Sequence, residues 1–494
     1  MAFYIDSAFK SSHKGCKVST ADKDNNNNDP CRGVPPPGSW VRPLGSMECF
    51  MATGGDVGLL NTLQAIWIKS NEGPIKTNDI THALHHVATK TQILQLCVQS
   101  HHFKPWFKRM RSVDVDFKTE VGDVMEIYYK TLEEPYNMKE GPLWRARLVN
   151  QSGDGSEAVL MIAVHHVLTD GNTNMILARD IITTLNASLT GHHLEVPVRP
   201  IIPPIMDEMF SIKHYPFLVY AYVKKCYETF LIGYEKRLTF NGVYKTPTKS
   251  TVKVKNLNGE LTEDQTNKLI QNCKKNGVTV HSCIYAALHS AYLKMAQEMS
   301  TKKIDSAQMQ ASDAVNVRRY YGKTYSEDPG CHISMIENEL LIKDVHITTH
   351  KGFWELAHQV ADNLNYRLNV EISPIKNAPL FRSAACIIYA NSLKHYFGGR
   401  QYTDQHFVTT NMGNLKNLLP ANPGEGPVEI TSLLRSVSMQ YLGSPFLVAM
   451  HTFRGKFMYA FDFYTNKMPE HVFNRYFTIF SQMVDNIADV GSVA

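Results

Sequence analysis

The sequence predicts an α/β protein built as two mixed lobes of similar size. A chain of 494 residues is too long for one ordinary core, so two or three units of roughly 150 residues are expected. Strand-like and helix-like stretches alternate on both sides of a break at Pro197, Pro200, Pro203 and Pro204. The clearest stretch, residues 158–185, reads as a buried strand, a short turn and an amphipathic helix.

Residues 1–40 are polar and of low complexity, with an asparagine run and a proline run, and predict a disordered tail. Folded structure is expected from about Trp40. An N-terminal lobe over 41–200 starts with a strand at 60–68 and a helix near 78–98, where Ile80, Leu84, Val87, Ile93 and Leu94 share one face. Strand-like stretches follow at 124–130 and 143–149, and Gly153, Asp154 and Gly155 make a hairpin turn into the strand at 158–164. Residues 201–250 read as a linker with an aromatic crossover helix at 216–234. In a C-terminal lobe over 251–494, Thr262 caps one helix and Gly277 follows its end; a long apolar-faced helix comes next, then helices opening at Phe353 and spanning 473–487.

Composition narrows the function. A net charge of +5 is mild and suits anionic ligands such as nucleotide-bearing cosubstrates, but no basic stripe marks a nucleic-acid surface. Nine cysteines at irregular spacing, without a CxxC pair, predict neither a disulfide framework nor a structural zinc. The first residues carry Asp6 and no long apolar core, and no run of 18 apolar residues escapes a charge. A reduced, cytoplasmic protein is expected, and the sequon at Asn186 reads as a chance match.

The candidate chemistry lies at the end of the 158–164 strand. Among four His-His doublets, at 85, 101, 165 and 192, only His165-His166 follows a buried strand and precedes an Asp-Gly turn and a helix. Adjacent side chains at a strand end point to opposite faces, which argues against one metal ion held by both. One imidazole facing a cleft, with Asp170 fixing the turn, is instead a positioned general base. No Gly-x-Ser-x-Gly elbow and no phosphate-binding loop accompany it. A base without a protein nucleophile points to direct transfer from an activated carbonyl to an acceptor hydroxyl or amine.

The arrangement His165-His166-x-x-x-Asp170-Gly171 after an apolar strand resembles the active-site motif of the HHxxxD acyltransferase superfamily. That superfamily includes alcohol acetyltransferases, polyketide-associated acyltransferases and peptide-synthetase condensation domains. Gly141-Pro-Leu-Trp-Arg, Asn276-Gly-Val-Thr-Val, Ala314-Val-Asn-Val-Arg, Phe407-Val-Thr-Thr-Asn and Gly455-Lys-Phe-Met-Tyr agree with it in order and spacing. Where plant-type members carry Asp-Phe-Gly-Trp-Gly, this chain reads Tyr441-Leu-Gly-Ser-Pro-Phe446, which favours the other branches. The resemblance implies two chloramphenicol-acetyltransferase-type lobes with an active-site tunnel between them. It implies His166 as the base, His165 packed inward, backbone N–H groups near Gly171 as oxyanion donors, and Asp170 clamped by Arg318 with Asn316 beside it. It further implies a monomer that uses acyl-CoA as cosubstrate, without metal, and a small alcohol or amine acceptor. Aromatic residues between Tyr215 and Tyr234 suggest an apolar acceptor. A carrier-protein thioester donor and a non-catalytic ligand-binding descendant are the rival readings.

Overall fold

In the computed structural model the apolar run at 158–164 lies at the centre of a five-stranded sheet, covered on both faces, and it is apolar for that reason. The structure describes residues 35–192, 196–209, 216, 219, 220, 223, 243–247, 252–321, 327–370, 405–419 and 426–493. In the N-terminal half β1 (Trp40–Pro43), α1 (Ser46–Met51), β2 (Asn61–Ser70), α2 (Thr77–Lys90), β3 (Leu96–His101) and β4 (Lys104–Arg109) come first. They are followed by β5 (Asp116–Glu120), α3 (Val124–Glu133), β6 (Trp144–Asn150), β7 (Glu157–His165), α4 (Gly171–Leu189) and α5 (Ile205–Met209). The second half contributes β8 (Val254–Glu260), α6 (Glu263–Lys275), α7 (Val280–Met299), β9 (Ser306–Asn316), β10 (Ile333–Lys343), α8 (Val345–Thr348) and α9 (His350–Asn365). Last come β11 (Phe407–Asn414), β12 (Val428–Val437), β13 (Phe446–Phe453), β14 (Lys456–Tyr464) and α10 (Glu470–Val490).

Three sheets result. The first runs β12-β2-β7-β6-β5, with α2 and α4 packed on one face and α3 on the other. The second runs β10-β9-β11-β13-β14-β8, parallel at β9-β11-β13 and antiparallel elsewhere, under α7 and its helical neighbours. A small antiparallel sheet, β1-β4-β3, stands apart. The predicted mixed α/β class with flanking helices holds. One strand crosses the expected division of the chain: β12, well inside 251–494, pairs with β2 and completes the N-terminal sheet, with Val437 opposite Thr62.

Local signals account for most element ends. Thr262 Oγ1 accepts the Gln265 amide at the head of α6, and Gly277 takes φ +66° just past its end. Gly155 takes φ +73° in the β6–β7 hairpin. Two expectations are corrected. The stretch 124–130 is helical, because Asp123 caps it by accepting the Glu126 amide at 2.9 Å, which outweighs the strand preference of Val124, Ile127 and two tyrosines. The helix near 78–98 ends at Lys90: Gln95 Nε2 donates to the Ala88 and Thr89 carbonyls, and the chain continues as strand β3.

The expected tail up to residue 34, His193 and nearly all of the 216–234 helix lie outside the described residues. No helix among the described residues is long and apolar enough to cross a membrane. The described cysteines Cys49, Cys97, Cys273, Cys283 and Cys331 are free thiols.

The proline-rich break at 197–204 is anchored. Arg199 is buried against α4, its Nε and Nη2 donating to the two carboxylate oxygens of Asp180 at 2.8 and 3.2 Å. Without Arg199, the buried Asp180 carboxylate keeps, among the described residues, only the Arg179 Nε contact to its Oδ1, at 3.2 Å. Arg199→Ala should therefore lower stability by about 1.5–3 kcal/mol, the cost of losing hydrogen bonds to a charged group. An unchanged urea midpoint would show that the segment is a passive linker.

Candidate active site

The reversal from β7 into α4 sets the site. His165, the last residue of β7, lies opposite Asn61 of β2. The His166 amide donates to the Leu60 carbonyl at 2.9 Å, and the Leu168 amide to the His165 carbonyl at 3.0 Å, so the chain turns back at once. Leu60 is left-handed, at φ +62°. For a residue with a branched side chain this costs about 1–3 kcal/mol. It is held by bonds in both directions, since the Leu60 amide donates to the Ser438 carbonyl at 2.7 Å.

The two histidines part company, as the alternation of a strand requires. His165 is fully buried; its Nδ1 accepts the Val167 amide at 3.2 Å and its ring stands edge-on to Tyr136. Burial, helped by His166 beside it, pushes His165 down to about 3, so it is neutral at physiological pH. His166 keeps 8% of its surface exposed. Its Nδ1 lies 2.6 Å from the Thr169 carbonyl oxygen. A carbonyl can only accept, so the hydrogen sits on Nδ1 and Nε2 keeps its lone pair. Burial lowers the His166 pKa below its ordinary value, against the opposing pull of Asp170.

Asp170 is the hub. Its Oδ1 caps α4 by accepting the Thr173 amide at 2.8 Å. Its Oδ2 accepts Arg318 Nη1 at 2.6 Å and the His332 amide at 2.9 Å. Burial acts to raise the Asp170 pKa, and the Arg318 guanidinium overcomes it, leaving a carboxylate of pKa about 2. The remaining Arg318 donors are used: Nη2 reaches Thr173 Oγ1 at 2.9 Å, and Nε and Nη2 reach the Asp328 carbonyl at 3.2 and 2.8 Å. Asn316 Oδ1 accepts the Arg318 amide at 3.0 Å. Arg318 and Asn316 are thus brought to Asp170 from the other half of the chain.

Gly171 opens α4, where the first amides have no intrahelical acceptor. A Cβ there would stand 2.7 Å from Met412 Sδ and 3.6 Å from Arg435 Nη2, so the Met412 side chain would have to shift to admit it. Thr169, Thr173, His332, Leu60 and Arg435 were not singled out by sequence. Thr173, three residues after a capping aspartate, had a local signal; the others depend on tertiary contacts. The histidine rings point apart, and no group of three His, Cys, Asp or Glu side chains suited to a metal occurs among the described residues.

Comparison with known proteins agrees with this geometry. Residues 73–204, which include the histidine loop, match the Condensation domain family. Curated relatives are bacitracin synthase 3 of Bacillus licheniformis, 36% identical over 72 residues or 14% of this chain, and the polyketide synthase PksN of Bacillus subtilis, 25% identical over 124 residues or 24% of this chain. The matches span only 1% and 2% of those much longer proteins. Among solved structures, trichothecene 15-O-acetyltransferase from Fusarium sporotrichioides superimposes with TM-score 0.68 at 11% identity, covering 92% of this chain and 99% of that one. The first condensation domain of the calcium-dependent antibiotic synthetase gives TM-score 0.64 at 12% identity, covering 92% and 98%. Residues 73–204 thus resemble a condensation domain, and the chain as a whole shares the fold of these acetyltransferase and condensation-domain structures.

The Asp170–Arg318 pair makes a direct forecast. Asparagine caps a helix as well as aspartate does, so Asp170→Asn removes the charge and keeps the cap. Asp170→Asn and Arg318→Ala should each cost about 3–5 kcal/mol, and the double variant less than their sum. Additive costs in denaturant unfolding would show that the pair does not couple. Because folding depresses the Asp170 pKa from 3.8 to about 2, its stabilising contribution is complete above about pH 4 and drains away as pH falls toward 2.

Proposed function

We propose that the chain transfers an acyl group from acyl-CoA to a hydroxyl or amine of a small acceptor, with His166 as general base and no acyl-enzyme. The observation that carries this reading is the 2.6 Å bond from His166 Nδ1 to the Thr169 carbonyl, which leaves Nε2 as the ring nitrogen carrying the lone pair. His166 Nε2 removes the acceptor proton as the acceptor oxygen or nitrogen attacks the thioester carbonyl. The tetrahedral oxyanion is stabilised by backbone N–H groups at the start of α4, near Gly171. Collapse breaks the carbon–sulfur bond, and the departing thiolate takes the proton from the His166 imidazolium. Asp170 and Arg318, with Asn316, stay outside the proton path and hold the loop, while His165 packs behind it.

A carrier-protein thioester is a second donor reading. It is supported by the Condensation family match and by the condensation domains among the structural neighbours. Both donors present the same pantetheine thioester to His166, so the chemistry is shared.

His166→Ala should reduce turnover by at least about two orders of magnitude and leave the unfolding midpoint near that of wild type. Full turnover in this variant would sink the assignment, and a kinetic loss confined to His165→Ala would exchange the two roles. kcat/KM should be level near neutral pH and fall in acid below pH 6.5, as His166 takes up its proton. Acetyl transfer from acetyl-CoA, unchanged by chelators, supports the CoA reading; transfer only from an acylated phosphopantetheinyl carrier replaces it.

A further inference from the structure

Close to the histidine loop lies a buried cation that makes no ion pair with any carboxylate among the described residues. Arg435 sits on β12 opposite Gln64 of β2 and is 6% exposed. Its Nη1 is buried and has no hydrogen-bond partner among the described residues. Buried Arg147, Arg199 and Arg318 each meet a carboxylate. Asp462, the acid whose charge reaches Arg435, is occupied by Ser436 Oγ, Asn256 Nδ2 and the Val437 amide. Burying a guanidinium without a counter-ion is costly, and a buried unsatisfied group of this kind calls for an explanation.

Its position supplies one. A Cβ on Gly171 would lie 3.6 Å from Arg435 Nη2, so the guanidinium borders the first residue of α4, directly after Asp170. Strand alternation puts Arg435, Gln64 and Thr62 on one face of the sheet, and Asn174 of α4 donates to Thr62 Oγ1 at 3.0 Å on that face. Gln64 Oε1 and Asn174 Oδ1 are also buried without hydrogen-bond partners among the described residues. One guanidinium nitrogen and two buried acceptors beside the proposed reaction centre therefore lack hydrogen-bond partners among the described residues.

We propose that Arg435 binds a carboxylate of the acceptor, and that Gln64 Oε1 and Asn174 Oδ1 accept hydrogen bonds from its hydroxyl groups, so the acceptor is a small hydroxy acid. This rests on the acyl-transfer reading and replaces the apolar acceptor suggested by residues 215–234, which lie almost wholly outside the described residues. One guanidinium matches the single charge of a carboxylate and can grip it with two parallel bonds. A phosphate brings up to about two charges, and the buried base whose charge meets that of Arg435, His451, is pushed down to about 3 by burial and stays neutral, so it supplies no second cation.

The test separates the site from the reaction. Without ligand, Arg435→Met should melt at or above the wild-type temperature, because an unpaired buried charge gives way to an apolar side chain of similar length. A large fall in Tm would make Arg435 a structural residue and overturn the proposal. So would a ligand-free crystal structure with a carboxylate of the chain itself on Nη1. A panel of small hydroxy acids, each paired with its neutral primary amide, is then titrated by thermal shift and calorimetry. Acids should bind the wild type more tightly than their amides and lose at least about 30-fold in Arg435→Met, with Arg435→Lys between. Equal binding of acids and amides, no binding of any acid, or undiminished binding to Arg435→Met overturns the proposal. Acids that bind through Arg435 yet accept no acetyl group from acetyl-CoA uphold the site and overturn the transferase reading.

Discussion

One buried carboxylate holds the site together. Asp170 spends one oxygen on the first turn of α4 and the other on Arg318 and the His332 amide, groups contributed from the far half of the chain. An ionised carboxylate survives at 1% exposure only when it is paired and hydrogen-bonded, and here Arg318 and two backbone amides meet it. The loop it terminates is short. With β7 fixed in the sheet at one end and Asp170 at the other, the Thr169 carbonyl has little freedom, and that carbonyl decides which nitrogen of His166 carries the hydrogen.

The second constraint is the exchange of a strand. β12 leaves the C-terminal half to lie along β2, and Ser438, just beyond its end, accepts the amide of left-handed Leu60. Leu60 in turn receives the His166 amide. The strained residue is thus over-determined by two strands at the place where the imidazole must be aimed. Further down the same strand, Ser436 bonds to Asp462 of β14 and to Tyr128 of α3, so the crossover is stitched into both sheets by buried polar contacts. Such contacts resist sliding more than apolar packing does, because a slip leaves each partner unsatisfied.

Much of this was legible in the sequence, where the signal is local. The apolar run at 158–164, the histidine doublet, Asp170 and Gly171 are contiguous, and their order encodes strand, turn and capped helix. Arg318 is 148 residues from Asp170 and was reached through family resemblance, not through periodicity. The misread stretch 124–130 did carry its capping signal in Asp123 and Glu126, hidden under a composition rich in strand formers. By contrast, nothing in 428–437 says which sheet it joins, since alternation fixes faces and not partners. Thr169, Leu60 and Arg435 escaped for the same reason: a carbonyl, a dihedral angle and a buried guanidinium without a hydrogen-bonded carboxylate acquire meaning only in the folded chain.

The central claim is that the loop presents His166 with hydrogen on Nδ1 and a free lone pair on Nε2. Nitrogen NMR of the histidine-labelled protein at neutral pH, assigned with His166→Gln, measures this directly. The account predicts a neutral His166 ring protonated on Nδ1, with Nδ1–H protected by its bond to Thr169. A ring protonated on Nε2, or one already doubly protonated at neutral pH, would contradict it.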